Sequence, residues 1–349
     1  MGVSLAWSGS WELDATVEPP GRTRVRVGRL AHPGPLVIEP GARLVAPDVA
    51  LAYSQDGLGG LARTWHTYQR TRGARQSRVL YNSWYATEFD VRADHQLELA
   101  TVAADVGAEL FVVDDGWFTG RDDETGGLGD WAPDPAAFPD GFAAFVDSVR
   151  ALGLDFGLWV EPEAISPRSR LYAEHPYWVY RIEGRPMTLV REQLLLDLGR
   201  EDVHAHLRDV LDGLLTEYPI TYLRWDMNRS AAERWRPGAG PQDLDGQHVR
   251  NYWRLLDHLR EHHPDVTVEA CAGGGAHLAT VARTDVGWPS DNTGPLDRLA
   301  VQDGFLLAYA PHLMSSWVTD EPGFFDPRPR SLRFRFVVAM AGCSASAPT

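Results

Sequence analysis

The chain contains 349 residues, of which 48 are Asp or Glu and 33 are Lys or Arg, so its formal net charge is −15. A chain this acidic, without basic runs, is a poor candidate for binding nucleic acid or an anionic membrane through its overall field. All the basic residues are Arg, and the absence of Lys excludes Schiff-base, P-loop and kinase-type lysine chemistry.

Targeting segments and metal motifs are missing from the sequence. Residues 1–14 contain no basic region followed by an apolar run, so no signal peptide is predicted. No run of 18 or more apolar residues predicts a membrane span. The two cysteines exclude a disulfide framework, and no HExxH or Cys/His cluster has metal-ligand spacing. We therefore expect a cytoplasmic protein without a metal or cofactor.

The N-terminal part of the chain predicts β-structure. Short alternating segments, punctuated by Gly and Pro, occupy residues 1–53 and predict four or five antiparallel strands, too few for a complete sandwich. Residues 58–73 predict a connecting helix.

From Val79 onward, short apolar strands alternate with amphipathic helices. The predicted strands are 79–84, 109–117, 155–163, 193–198, 221–227, 266–275, 285–291 and 312–317. The predicted helices are 94–107, 140–152, 202–217, 247–262 and 296–309. This alternation predicts an α/β fold of the (β/α)8 TIM-barrel type. A doubly wound sheet is the alternative, but it usually has a GxGxxG turn after its first strand, which this chain lacks.

In such a barrel, catalysis takes place at the carboxyl ends of the strands. The carboxylates at the predicted strand ends are Asp114, Asp115, Glu161, Glu163, Asp197, Asp226, Glu269 and Asp291, and the tryptophans are Trp84, Trp117, Trp159, Trp225, Trp288 and Trp317. A sugar site needs such acceptors for hydroxyls and flat apolar walls for the ring. The same carboxylates could bind a divalent metal. Structural roles also compete, since Asp197 fits a helix N-cap and Cys271 a small buried residue.

Seven segments identify a family resemblance. They are YNSWYATEFD at 81–90, VVDDGWF at 112–118, GLWVEPEAISPRSRLY at 157–172, LLLDLGR at 194–200, RWDMNR at 224–229, EACAGGG at 269–275 and WPSDNT at 288–293. In this order they resemble the family 36 α-galactosidases of the glycoside hydrolases, the melibiases of clan D. The resemblance implies a retaining hydrolase that releases terminal α-linked galactose from oligosaccharides by double displacement.

The resemblance assigns the two catalytic carboxyls. It implies that Asp226 is the nucleophile and Asp291 the acid/base, at the ends of the predicted fifth and seventh strands. Retention requires the two carboxyl groups about 5–5.5 Å apart. We expect burial against Trp288 and the charge of Asp226 to raise the pKa of Asp291.

The same matching implies the substrate-binding residues, which are Trp84, Asp114, Asp115, Trp159, Arg191, Arg224, Asn228, Cys271 and Gly274. Asp114 and Asp115 would accept the hydroxyls that define galactose, and the two tryptophans would be pocket walls. The arginines would donate to hydroxyls, and Cys271 and Gly274 would lie near the 2-hydroxyl.

Four positions depart from the family pattern. Arg224 replaces a usual Lys, Tyr85 a Glu, Gly294 a common Asp, and His277 an Arg. Because Arg is longer and forked, the first exchange is not conservative. These departures bear on substrate fit more than on reaction type.

The resemblance also implies that the chain is truncated at both ends. We expect residues 1–75 to be the last part of a β-sandwich domain with a linker helix, 76–343 the catalytic barrel, and 344–349 a frayed tail. Full-length members of the family often form tetramers, so the resemblance makes a homo-oligomer possible. Two alternatives remain open at this stage: a catalytically silent or impaired galactose-binding fragment, and a galactosyltransferase of the raffinose-synthase kind.

Overall fold

The structure, a computed structural model, describes residues 1–30, 37–71, 78–239, 243–272, 278–319, 322–323 and 325–340. Across these parts of the chain, every helix is too short or too polar to cross a membrane.

The N-terminal segment forms two antiparallel strand pairs and a helix. Strand β1 (Gly2–Leu5) pairs with β4 (Val49–Ala52), and β2 (Trp11–Glu18) pairs with β3 (Arg22–Arg29). Helix α1 (Gly57–Arg70) follows. The predicted antiparallel strands and connecting helix are confirmed.

Among the described residues after α1 there are eight strands, namely β5 (Leu80–Asn82), β6 (Leu110–Val113), β7 (Asp155–Val160), β8 (Ala164–Ile165), β9 (Leu194–Leu195), β10 (Ile220–Trp225), β11 (Thr267–Ala270) and β12 (Val286–Gly287). Six of them form one parallel sheet in the order β5-β6-β7-β10-β11-β12, and a parallel bridge between Gly287 and Met314 continues it. All four residues of β6 are buried, as expected for a parallel strand covered on both faces. This sheet is the wall of the predicted barrel.

The helices after α1 are α2 (Trp84–Thr87), α3 (Ala93–Asp105), α4 (Phe142–Ala151), α5 (Arg170–Glu174), α6 (Glu201–Glu217), α7 (Leu244–His262), α8 (Leu278–Val281), α9 (Asp297–Ala308) and α10 (Leu332–Ala339), with a 3₁₀ turn at Pro311–Leu313. Among them, α3 packs against β6 and α4 against β7. Helix α4 buries Phe142, Phe145, Val146 and Val149 at helical spacing. The helix stops near Gly153, whose φ of 86° lies in the left-handed region that favours glycine.

One predicted barrel strand is wrong. Within residues 193–198 only β9 is a strand, and it pairs antiparallel with β8 in the long connection between β7 and α6. Its apolar residues are buried there, and a short buried apolar run has the same pattern in a barrel strand and in a packed connection. As a result, Asp226 follows the fourth strand of the parallel sheet and Asp291 the sixth, not the fifth and seventh.

Two tryptophans predicted at the strand ends belong to the core. Trp117 is fully buried, stacks on Phe142 and donates its indole N–H to the carbonyl of Trp159 at 2.9 Å. Trp225 is also buried and donates to Glu163 at 3.3 Å. Both rings are therefore held in the interior by packing and by hydrogen bonds of their indole N–H groups.

Candidate active site

Asp226 lies directly after β10, and its carboxylate is held by three N–H donors. Its backbone N–H continues the sheet pairing to the carbonyl of Val160 at 2.8 Å. Oδ2 accepts from Trp159 Nε1 at 3.1 Å and Asn228 Nδ2 at 2.8 Å, and Oδ1 accepts from the N–H of Met227 at 2.8 Å. These bonds fix a buried carboxylate in one orientation.

Asn228 connects Asp226 to Glu161, which sequence reasoning left without a role in the site. Glu161 is completely buried, and its Oε2 accepts from Asn228 Nδ2 at 3.2 Å. Burial, and then the charge of Asp226, raises the pKa of Glu161 to about 8. Asn228 Oδ1 accepts from Arg191 at 2.8 Å, and Arg191 also pairs with Glu124 at 2.9 Å. The predicted residues Asn228 and Arg191 are thus brought to the proposed nucleophile.

Asp114 follows β6 and lies between an amide and a cation. Its Oδ2 accepts from Asn82 Nδ2 at 2.6 Å and lies 3.4 Å from Nε of Arg224. Burial raises the pKa of Asp114 to about 6, although Arg224 and Asn82 oppose the shift. Asn82 was not singled out from the sequence, although its place at the end of β5 is a signal that could have found it.

Asp115 is engaged by Arg121, a buried residue that sequence reasoning missed. Arg121 donates from Nε to Oδ1 at 2.9 Å and from Nη2 to Oδ2 at 2.7 Å. Burial raises the pKa of Asp115, and the bonds from Arg121 oppose this. Both oxygens of Asp115 accept hydrogen bonds from Arg121, so this ion pair fixes the orientation of the carboxylate.

Arg224 occupies the centre of a charged and aromatic cluster. It donates to Glu269 Oε2 at 3.2 Å and to Cys271 Sγ at 3.4 Å. Its guanidinium carbon lies 5.0 Å from the ring centre of Trp288 and 4.5 Å from that of Trp317. The fork and flat face of Arg make these contacts together, which a Lys ammonium could not.

The thiol of Cys271 faces the proposed nucleophile. Cys271 is buried beside Arg224. Burial first, and then the charge of Asp226, raises the pKa of this thiol well above its usual range. Its position near Asp226 agrees with the predicted placement of Cys271 in the site.

Asp291 differs from its prediction, because its side chain is exposed where burial was expected. It lies in the loop after β12 and accepts from Trp288 Nε1 at 2.8 Å. Trp288 in turn stacks on Arg224, which pairs with Asp114 near Asp226. The ring of Trp288 therefore connects Asp291 to Arg224. Trp84 is the first residue of α2, is half-buried, and packs edge-on to Phe89 with 5.2 Å between the ring centres.

Other predicted positions fall outside the centre or outside the described residues. Asp197 pairs with Arg236, and Glu163 accepts from His248 at 3.0 Å, so these two strand-end acids have structural partners. Gly274 and His277 lie outside the described residues.

Two of the departures from the family pattern have local contacts. At Gly294, a side chain would collide with the Cα of Gly323, which accounts for glycine there. The hydroxyl of Tyr85 lies 3.1 Å from that of Thr293, and its ring packs edge-on to Trp317.

The comparison with protein families and curated proteins gives concordant matches. The family model described as Melibiase matches residues 44–345. The chain is 36% identical over 355 residues to the α-galactosidase AgaA of Geobacillus stearothermophilus, covering 98% of this chain and 48% of that protein. It is 33% identical over 347 residues to an α-galactosidase of Escherichia coli, covering 97% of this chain and 49% of that protein. The chain thus spans about half the length of the curated relatives it matches.

The fold of the chain also matches solved structures of α-galactosidases. The crystal structure of the GH36 α-galactosidase AgaA from Geobacillus stearothermophilus superposes with a TM-score of 0.95 at 35% identity, over 99% of this chain and 50% of that one. The structure of AgaA A355E D548N in complex with raffinose has a TM-score of 0.95, and that of AgaA A355E D478A in complex with stachyose has a TM-score of 0.94. Both are 35% identical to this chain, over 99% of this chain and 50% of the other.

Proposed function

Because the chain belongs to the Melibiase family, whose model matches residues 44–345, we propose that it is a retaining α-galactosidase acting on oligosaccharides that end in α-linked galactose. The relatives named α-galactosidase and the neighbours bound to raffinose and stachyose support the substrate class. The observation that carries the mechanism is the buried carboxylate of Asp226, fixed by donors from Trp159, Met227 and Asn228.

In the first half of the proposed reaction, a carboxylate oxygen of Asp226 attacks the anomeric carbon of the galactose. Asp291 gives its proton to the glycosidic oxygen, so the bond to the leaving sugar breaks and that sugar departs as an alcohol. The product is a galactosyl ester of Asp226 and an ionised Asp291. The fixed orientation of Asp226 reduces the cost of reaching the attacking geometry.

In the second half, the Asp291 carboxylate takes a proton from water while the water oxygen attacks the anomeric carbon. The ester bond to Asp226 breaks, and galactose leaves with the configuration it had in the substrate. Because Asp291 is exposed, water reaches it directly for this step.

Recognition of galactose is assigned to the acceptors around Asp114. A buried carboxylate that is paired with Asn82 and Arg224 keeps further lone pairs for sugar hydroxyls. A sugar with one hydroxyl misplaced leaves such acceptors unpaired, and hydrogen-bonding sites reject such analogues by factors of about 10⁴. We therefore expect strong preference for galactose over glucose at the non-reducing end.

The direct test is hydrolysis of a nitrophenyl α-galactoside by the 349-residue chain, with proton NMR of the first-formed galactose. Release of the α-anomer supports retention, and release of the β-anomer contradicts it. A folded chain that binds galactose without turnover would contradict the hydrolase assignment. Galactose transferred mainly to an added sugar, and not to water, would indicate a transferase.

A further inference from the structure

Glu161 is the buried carboxyl next to the site whose role the proposed reaction leaves open. Its Oε2 accepts from Asn228 Nδ2 and from Gln193 Nε2, both at 3.2 Å. Its Oε1 accepts from the backbone N–H of Asn228. Two of the three donors belong to one residue, so Glu161 holds both the backbone and the side chain of Asn228.

The amide of Asn228 is held at both ends. Its nitrogen bridges Asp226 Oδ2 at 2.8 Å and Glu161 Oε2 at 3.2 Å, and its oxygen accepts from Arg191 at 2.8 Å. Turning the amide over would place its oxygen against two carboxylate oxygens and its nitrogen against a guanidinium. The contacts therefore permit one orientation, in which the N–H group points at Asp226.

We propose that Glu161 is a positioning residue for the nucleophile, which it orients through the amide of Asn228. This inference rests on the proposed function, because it takes Asp226 as the nucleophile. Glu161 does not face the sugar in this account, since its oxygens are already bonded to Asn228 and Gln193.

The charged groups around Glu161 favour its neutral form, so Glu161 can hold Asn228 without adding a second buried negative charge beside Asp226. The acids Asp226 and Asp115 add to the effect of burial in raising the pKa of Glu161, while Arg191 and Arg229 face it with positive charge. At neutral pH the neutral carboxyl is therefore favoured. A neutral Glu161 still offers acceptor lone pairs to Asn228 and does not repel the carboxylate of Asp226.

A double-mutant cycle with Asn228→Ala tests this route. A neutral carboxyl carries one hydrogen and keeps an acceptor lone pair on each oxygen. In Glu161→Gln, one oxygen becomes an NH₂ with two hydrogens and no acceptor, which faces a donor of Asn228, so the amide loses its fixed orientation. We expect kcat on a nitrophenyl α-galactoside to fall roughly tenfold to a hundredfold, the range of a lost hydrogen bond to a charged group. The inhibition constant of galactose should change less than about threefold. In the Asn228→Ala background, Glu161→Gln should lower kcat by less than about twofold, because the intermediary is gone.

Glu163→Gln is the matched control. Glu163 is buried on the same loop, but its bonds go to Trp225 at 3.3 Å and His248 at 3.0 Å. We expect its kcat to stay within about threefold of that of the wild type. If Glu161→Gln does not fold, Glu161→Met serves the same cycle, because it has similar length, no acceptors and no charge to bury.

The outcomes separate the two proposals. The role of Glu161 would be overturned if Glu161→Gln and Glu161→Met both kept the kcat of the wild type. It would also be overturned if Glu161→Gln lowered kcat equally with and without the Asn228 side chain. In both cases, hydrolysis by the wild-type chain would still support the α-galactosidase. Absence of turnover by the folded wild-type chain would overturn the α-galactosidase and the role of Glu161 together.

Discussion

The indole N–H of Trp159 donates to Oδ2 of Asp226 across 3.1 Å. The bond crosses between neighbouring strands, since Trp159 on β7 is in register with Arg224 on β10, two residues before Asp226. Sequence reasoning placed Trp159 as a wall for the sugar. In the structure its side chain is almost wholly buried and holds the carboxylate that we propose as the nucleophile.

Replacing Trp159 by Phe tests this bond, because the substitution keeps an aromatic ring and removes the N–H. We expect kcat on a nitrophenyl α-galactoside to fall roughly tenfold to a hundredfold, as for a lost hydrogen bond to a charged group. Trp131→Phe is the control, since Trp131 lies in the same aromatic cluster and its indole N–H has no hydrogen-bond partner among the described residues. Equal losses in the two variants would show that ring packing matters and the hydrogen bond does not.

Arg121 and Asp115 form an ion pair with both side chains buried, so removing Arg121 should strand a buried charge. We expect Arg121→Met to lower the free energy of unfolding by about 3–5 kcal/mol, measured by urea denaturation. Arg26→Met breaks the exposed pair with Asp14, which solvent screens, and should lower the free energy of unfolding far less than Arg121→Met does. A loss in Arg121→Met as small as that in Arg26→Met would contradict a structural role for this pair.

The pH dependence of kcat/KM should contain a limb from Asp114. Its pKa is raised to about 6 by burial, and its ionised form is the one that accepts from sugar hydroxyls without donating. As pH falls through about 6 the carboxylate is lost, so kcat/KM should fall by up to tenfold per pH unit. Asp114→Asn should lower kcat/KM overall and remove this limb. Persistence of the limb in Asp114→Asn would assign it to another group.

Glu161 should make the stability of the chain depend on pH in the opposite sense to an ordinary paired carboxylate. Its pKa is raised from 4.5 to about 8, so the folded chain binds more protons than the unfolded chain between these values. The free energy of unfolding should therefore fall with rising pH in this window, by up to about 1.4 kcal/mol per unit from this group. Urea denaturation at several pH values should show that Glu161→Gln lacks this contribution. Identical pH dependence in both proteins would contradict a proton held on Glu161.

The barrel strands could be predicted because their signals are local. The apolar runs at 109–117, 155–163 and 221–227 contain β6, β7 and β10, which lie side by side in the parallel sheet. The run at 193–198 has the same composition but packs as a connection, and only the tertiary pairing with β8 distinguishes it. Periodicity measures burial, and burial alone does not say which sheet a strand joins.

Family motifs predicted which residues belong to the candidate site, but not the hydrogen bonds among them. Family motifs supplied Asp114, Asp226 and Asn228, which the fold brings together. Arg121 binds Asp115, six residues before it, and Glu161 binds Asn228, which is 67 residues away. Neither separation is a sequence pattern that predicts a contact. The exposure of Asp291 was also missed, because the sequence does not show how far a loop stands from the barrel.

We propose that Asp226 forms the covalent intermediate of the reaction. A 2-deoxy-2-fluoro α-galactosyl fluoride tests it most directly, since the fluorine slows both chemical steps and the activated leaving group lets the first proceed, so the ester accumulates. Mass spectrometry of the intact and digested chain should find one fluorodeoxygalactosyl group, on the peptide and residue Asp226, and Asp226→Asn should remain unlabelled. Labelling at another carboxylate, or time-dependent inactivation that persists in Asp226→Asn, would contradict the assignment.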